Sequence, residues 1–202
     1  NRLIFMKRYR ALGIILILFL AACSSAYTLE GAFKDIKKID AKYDIDFKKE
    51  KLNGTVINYE LINPVLDDLY ALREKAEKRQ GKDTQDILDF IDARILMIES
   101  QRYWILAKNI GPRGVTRDGF VCEDFPFIKD ATEYYAKSWV NALDAFKILD
   151  ELLARNEATW DFIGVNREKP DFYRSPLDYI SDDVRFNIFN MQKSCNIPLA
   201  SS

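Results

Sequence analysis

Two long stretches of the chain repeat their apolar residues with the period of an α-helix. In the first, about Thr84–Asn109, most apolar residues fall within one broad arc at about 100° per residue, but Leu96 and Tyr103 lie on the opposite side. Apolar residues on several sides predict a central helix. The second stretch, Ile128–Arg155, is predicted to pack with one face: Ile128, Tyr135, Trp139, Ala142, Leu143, Phe146, Leu149 and Leu153.

Shorter helices are predicted on either side of this pair. Apolar residues spaced by three from Phe33 to Ile39 indicate an amphipathic helix over 31–42. The Asn63-Pro64 pair is typical of a helix start, with asparagine as the cap and proline at the first helical position. That helix is expected to end before Gly81. A last helix is expected to follow Ser181.

Residues 43–62 permit more than one interpretation. Tyr43, Ile45 and Phe47 alternate with polar residues, and an Asn53-Gly54 pair follows, which is a hairpin signal. A helix that ends near residue 52, with Gly54 past its cap, gives the same pattern. We favour an irregular segment lying across the bundle, with a hairpin as second choice.

These elements together predict the fold class. The expectation is an all-α helical bundle around two long antiparallel helices, with about three shorter helices packed on them. Residues 31–202 form a single α-helical domain in this interpretation, long enough to bury a sizeable core.

A different pattern precedes the domain. The stretch Met6–Cys23 reads MKRYRALGIILILFLAAC, with basic residues, then an apolar run from Ala11 to Leu20, then small residues. This order is typical of an export signal. The apolar run is shorter than the roughly 20 residues that a membrane-spanning helix needs, so a transmembrane anchor is the weaker interpretation.

The end of this stretch, Leu20-Ala21-Ala22-Cys23, resembles the lipobox of prokaryotic lipoproteins, in about the first tenth of the chain. In that family the signal is cut before the cysteine, whose thiol is lipidated. The resemblance implies a signal peptide over 1–22, lipid attachment at Cys23 and a tether over 23–30. Ser24 would suggest outer-membrane sorting where two membranes exist. An ordinary secretory signal with a chance cysteine is the alternative.

Composition narrows the possible functions. Without the four basic residues of 1–22, the chain carries 26 basic and 31 acidic residues and has no basic block, which argues against nucleic acid as a partner. Histidine is absent, so the commonest general base and transition-metal ligand are missing. We therefore predict no metal, no cofactor and no catalytic residue.

The two remaining cysteines, Cys122 and Cys195, are predicted to form a disulfide, as an even pair in an exported protein usually does. It would tie the last helix to the loop 111–127 between the long helices. A reactive thiol is the alternative, and two isolated cysteines make a poor metal site. The glycines of that loop lack the spacing of a phosphate-binding loop.

Charged residues within the apolar arcs are candidate binding residues. Arg94 and Arg102 fall in the arc of the first long helix, and Asp150 falls in that of the second. Buried charges are costly unless they are paired, so we expect an inter-helix salt bridge between Arg94 and Asp150. A pocket that binds an anionic ligand through Arg94 and Arg102 is the alternative.

Aromatic residues concentrate on the long helices next to the loop. They are expected to belong to the core, although a ligand groove between bundle helices would use the same residues: Tyr103, Trp104, Tyr134, Tyr135 and Trp139. Asp86, Asp89 and Asp92, spaced by three, are expected to form a solvated helix edge.

The functional hypothesis follows from the anchor and from the missing catalytic motifs. We expect a lipid-anchored protein on the non-cytoplasmic side of a membrane that acts as a non-enzymatic interaction or structural module with an envelope protein partner. A small-molecule-binding lipoprotein with a pocket between the long helices, lined by Arg94, Arg102, Asp150 and Trp139, is the alternative.

Overall fold

The fold is the predicted all-α bundle around two long antiparallel helices. The computed structural model describes residues 27–45, 57–79, 81–110, 115–116, 119–120 and 125–156, with isolated positions between 182 and 193. The continuous described ranges hold four α-helices, which are α1 (Leu29–Lys42), α2 (Ile62–Glu77), α3 (Thr84–Ile110) and α4 (Phe125–Arg155). The predicted signal peptide and the cysteines Cys23, Cys122 and Cys195 lie outside the described residues.

Helix α1 has a defined cap at each end. The Thr28 side chain accepts a hydrogen bond from the backbone N–H of Gly31 at 3.1 Å. At the other end Asp44 takes the left-handed conformation (φ 53°), and the N–H of Ile45 donates to the carbonyl of Asp40 at 2.9 Å. The predicted end at Lys42 is confirmed. The start lies two residues before the predicted one, so the predicted tether 23–30 overlaps folded chain.

The start of α2 differs from the prediction. A 3₁₀ turn, Tyr59–Leu61, precedes it, and the cap of this turn is the side chain of Asn58. The helix begins at Ile62, which makes Pro64 its third residue, and Asn63 is not the cap. Proline is tolerated there because the first N–H groups of a helix have no partner within the helix.

Helices α1 and α2 run antiparallel. Near the start of α1, the Lys75 ammonium lies 5.1 Å from the ring centre of Tyr27. At the other end of the pair, Lys42 Nζ donates to Asp68 Oδ2 at 2.7 Å. Both helices pack on α3, which also carries α4, so the prediction that α3 is central is confirmed.

Helices α3 and α4 meet along a seam of small residues. The Ser100 hydroxyl donates to the backbone carbonyl of Ser138 at 2.9 Å, and the Ser138 hydroxyl donates to that of Ser100 at 2.8 Å. Because the two helices are antiparallel, the residue seven positions before Ser100 on α3 lies level with the residue seven positions after Ser138 on α4. The same holds in the other direction. The seam therefore has three levels, all fully buried: Ala93 with Ala145, Ser100 with Ser138, and Ala107 with Ala131.

The face of α4 that packs on α3 follows this seam. The prediction that Leu143 belongs to this face is wrong. Leu143 is 47 % exposed. It follows the buried Ala142 by one residue, which turns its side chain about 100° away from α3. Val140 is also exposed.

Between the long helices lies a short antiparallel ladder where the sequence predicts loop. Strand β1 (Val115–Thr116) pairs with β2 (Gly119–Phe120), with Val115 opposite Phe120. In the segment 43–62, Ile45 and Ile57 are buried, and residues 46–56 lie outside the described part. The choice between a hairpin and an irregular segment therefore stays a prediction.

Candidate functional site

Arg94 is held by an ion pair, but its described partner is not the predicted one. Its guanidinium donates to the Asp40 carboxylate of α1, and both side chains are largely buried. The pair links α1 to α3, so the expectation of an inter-helix salt bridge at Arg94 is met by a different helix. The expected partner, Asp150, is exposed on α4, one residue after the buried Leu149.

The three aspartates of α3 hold neighbouring helices instead of forming a solvated edge. Asp86 and Asp89 both accept hydrogen bonds from the Arg155 guanidinium at the end of α4. Asp92 accepts two from Arg73 of α2, at 2.5 Å and 3.1 Å. The hydrogen bonds that Arg73 donates to Asp92 raise the pKa of its guanidinium more than burial lowers it, so Arg73 stays positively charged.

The aromatic residues that the sequence places on the long helices next to the loop divide into a buried part and a surface part. Trp104 and Tyr135 are buried, and Trp139 packs partly buried against the core. The rings of Tyr103 on α3 and Tyr134 on α4 are partly exposed and stack with centroids 5.9 Å apart and planes 21° apart. The surface part is therefore a stacked pair of rings that bridges the two long helices.

Cations flank the stacked rings. Lys137 Nζ lies 5.6 Å and 5.7 Å from the ring centres of Tyr103 and Tyr134. The Arg102 guanidinium lies 5.9 Å from the ring centre of Tyr103. These distances fall within the range of cation–π attraction, which keeps both cations beside the rings and leaves them able to accept a further contact.

One carboxylate completes the arrangement. Glu99 Oε1 lies 3.5 Å from Arg102 Nη1. The other oxygen, Oε2, is buried, and no donor reaches it among the residues that the structure describes. Glu99 therefore keeps hydrogen-bonding capacity that Arg102 does not use.

On the α2 side, the half-exposed Tyr70 lies close enough to Glu99 and Arg102 for their charges to act on its phenol. Burial raises the pKa of its phenol, and the negative charge of Glu99 raises it further, so Tyr70 remains a neutral hydrogen-bond donor and acceptor. We name the whole set the tyrosine–cation cluster: Tyr70, Glu99, Arg102, Tyr103, Tyr134 and Lys137.

The sequence indicates part of this cluster. Tyr103, Tyr134 and Arg102 are among its candidate residues, whereas Glu99, Tyr70 and Lys137 are not. Lys137 follows Tyr134 by three residues, so the two share one helix face, and this spacing could have indicated it. Tyr70 belongs to another helix, and only packing brings it to the cluster.

The cluster has the character of a recognition surface. It offers flat rings, two cations, one carboxylate and a phenol, but no side chain in it is an evident nucleophile with an adjacent base. Within the described ranges, no three acidic, cysteine or histidine side chains converge to hold a metal ion. In the part of the chain that the structure describes, no helix combines the length and apolar character needed to cross a bilayer.

A second group of aromatic and charged residues lies at the start of α1. The Tyr27 phenol donates to Asp35 Oδ2 at 3.1 Å, and its ring lies 5.1 Å from Lys75 Nζ and 5.5 Å from the Arg79 guanidinium. Burial raises the Tyr27 pKa, and the negative charge of Asp35 raises it further. This group fixes the first described residue of the domain to the end of α2.

Comparisons with known proteins give no relative from which a role could be inferred. No protein-family model matches the chain, and no curated protein or solved structure matches it significantly.

Proposed function

We propose that this protein is a lipid-anchored envelope protein that acts as a non-enzymatic interaction module. In this proposal Cys23 carries the lipid, and the tyrosine–cation cluster contacts an envelope protein partner. The anchor is supported by the basic, apolar and small-residue order of Met6–Cys23 and by its likeness to a lipobox. The interaction surface is supported by the composition and geometry of the cluster.

The observation that carries the interaction role is the stacked pair Tyr103–Tyr134 with its flanking cations. Tyrosine and arginine are enriched at the residues that dominate binding energy in protein interfaces. Stacking already restricts both rings, so little side-chain entropy remains to be lost when a partner binds. A surface built on two packed helices also keeps its shape in the absence of the partner.

The anchor would place this surface at a defined height. Tyr103 lies 19 residues along α3 from Thr84, which corresponds to about 29 Å at 1.5 Å per residue. The end of α3 near Thr84 is also the end at which α1 begins, and the first residue of α1, Leu29, follows Cys23 by six positions. A partner embedded in or bound to the same membrane would meet the cluster at high effective concentration.

Crosslinking in cells tests the interaction role. A chemical crosslinker should capture a reproducible protein partner, with the crosslinks mapped by mass spectrometry to the cluster. The double variant Tyr103→Ala, Tyr134→Ala should reduce its recovery by about tenfold or more, since interface anchors of this kind contribute upwards of 1 kcal/mol each.

The matched control is Tyr59→Ala. Tyr59 is more exposed (42 %) than either stacked tyrosine, and it lies outside the cluster, on the 3₁₀ turn before α2. Recovery of the partner should be unchanged in this variant. Equal recovery in the double variant and in the wild type would show that the cluster is not the interaction surface.

The anchor has its own test. Cys23→Ala should release the protein from the membrane fraction, and mass spectrometry of the wild type should find a lipid adduct on Cys23. Unchanged membrane attachment of the variant, with no adduct on the wild-type residue, would rule out lipid anchoring.

A small-molecule-binding lipoprotein is the second candidate function. The same two rings, with Arg102 and Lys137 beside them, suit a flat anionic ligand, because the rings supply stacking and the cations supply charge. A small molecule that co-purifies with the wild type, but not with the double tyrosine variant, would favour this candidate over a protein partner.

A further inference from the structure

Charge is distributed unevenly along the antiparallel pair α1–α2. The end at which α1 begins and α2 ends comprises residues 27–38 and 73–83, which hold eight Lys or Arg and five Asp or Glu. The opposite end comprises residues 39–45 and 57–68, with one basic and five acidic residues. Adding the connecting residues 46–56 gives four basic and seven acidic residues, so the difference in sign remains.

Three of the cationic side chains at the first end are not neutralised by ion pairs with described residues. Among the described residues, no carboxylate pairs with Lys37, Arg79 or Lys82. Lys37 Nζ lies 4.5 Å from the ring centre of Phe33, and Arg79 lies beside the ring of Tyr27. A cation held on a ring keeps its charge and its remaining hydrogen-bond donors for another partner.

The sequence places this end next to the proposed lipid. Only Ser24, Ser25 and Ala26 separate Cys23 from Tyr27, so their Cα atoms are at most about 14 Å apart. Electrostatic attraction to a charged surface falls off over about 8–10 Å in physiological salt. Helix α1 is 14 residues long, about 21 Å, so its opposite end is beyond that range.

We infer that this end of the bundle docks on the anionic phospholipid headgroups around its own lipid anchor. We name it the basic end: Tyr27, Lys37, Lys75, Lys78, Arg79 and Lys82. The inference rests on the proposed anchoring through Cys23. Basic side chains next to an amphipathic aromatic ring suit the headgroup layer of a membrane, where lipid phosphates accept their hydrogen bonds. Docking there orients α3 away from the bilayer and holds the tyrosine–cation cluster outward.

Lysine footprinting of the reconstituted protein tests the inference. The full-length lipidated protein is inserted into vesicles of phosphatidylcholine alone, or of phosphatidylcholine with phosphatidylglycerol, and labelled with a membrane-impermeant acylating reagent. Labelling of Lys37, Lys78 and Lys82 should fall at least about threefold on the anionic vesicles and recover in high salt. Labelling of the exposed Lys129 and Lys147 on α4 should not change.

Charge reversal supplies the matched variants. Arg79→Glu with Lys82→Glu should abolish the difference between the two vesicles at Lys37 and Lys78, whereas Lys129→Glu with Lys147→Glu changes the net charge equally and should leave it intact. Attached protein whose lysines label equally on both vesicles would overturn the docking inference and leave the anchor standing. Protein that does not float with neutral vesicles would overturn the anchor and the docking inference together.

Discussion

The contact between α3 and α4 and the contact between α1 and α2 each join two antiparallel helices, but different kinds of side chain join them. Along the first, small side chains at seven-residue intervals let the helices approach closely, and two serines bond across the gap. Along the second, the described polar contacts lie at the edges: Lys75 with Asp35, Lys42 with Asp68, and the Tyr43 phenol with Asp68.

This difference indicates how well each helix contact tolerates amino-acid substitutions. Protein interiors are closely packed, so larger side chains at a seam of fully buried small residues are expected to push the helices apart. Partly exposed ion pairs at an edge contribute little each, and water replaces them when they are lost. We therefore expect α3–α4 to be the rigid frame of the domain and α1–α2 to be its adjustable part.

Overfilling the seam should have the largest effect. Ala145→Leu adds three carbons at a fully buried level opposite Ala93 and should lower the free energy of unfolding by about 2–3 kcal/mol. The matched control is Ala136→Leu, an identical exchange at an exposed position of the same helix, which should change it by under about 0.5 kcal/mol. Urea unfolding followed by circular dichroism measures both. Equal destabilisation by the two variants would contradict a close-packed seam.

Removing the partner of Arg94 should have an intermediate effect. Asp40→Ala leaves a largely buried guanidinium without its described carboxylate and should cost about 1–2 kcal/mol, less than for a fully buried pair. Asp67→Ala, at an exposed position of α2, is the control and should cost under about 0.5 kcal/mol. If thermal unfolding shows no difference between these variants, Arg94 does not depend on α1.

An edge pair of α1–α2 should have the smallest effect, and one that depends on pH. Burial alone would raise the pKa of Asp35, but hydrogen bonds from Lys75 and Lys38 outweigh it and lower the pKa from 3.8 to about 2. A lowered folded-state pKa means that this stabilisation is present above pH 3.8 and is lost as the pH falls through about 2.

Asp35→Asn should therefore lower the free energy of unfolding by under about 1 kcal/mol at pH 7, and the difference from the wild type should shrink as the pH falls through about 2 and vanish below it. Urea titrations at a series of pH values, with Asp67→Asn as the control, follow this difference. A difference that is constant across pH would assign the effect to something other than the ionised carboxylate.

The sequence predicts the helices better than it predicts the side-chain contacts between them. Periodicity located the two long helices and the central role of α3, because burial on several sides leaves a direct trace in the pattern. It did not identify Asp40 as the partner of Arg94, since that contact joins residues 54 positions apart on helices whose relative rotation no local pattern specifies. The same holds for Asp86 and Asp89, which look like a solvated edge until the end of α4 is brought beside them.

The seam and the tyrosine–cation cluster also differ in how far the sequence pattern predicts them. Ala93, Ser100 and Ala107 repeat with a period of seven, as do Ala131, Ser138 and Ala145, so the seam was available to a search for small residues at heptad spacing. The cluster draws on three helices, and its member Tyr70 has no periodic relation to the others. Predicting it would have required the packing order of the helices.

The serine level of the seam also has a consequence for the uniqueness of the fold. A slide of α4 along α3 by seven residues, about 10.5 Å, would again set small side chains opposite small ones at two levels. Shape alone therefore does not distinguish the observed alignment from the displaced one. Only the observed alignment places Ser100 opposite Ser138, where each hydroxyl finds a carbonyl; in a displaced one both would face alanine. One polar level thus gives an otherwise repetitive interface a single correct alignment.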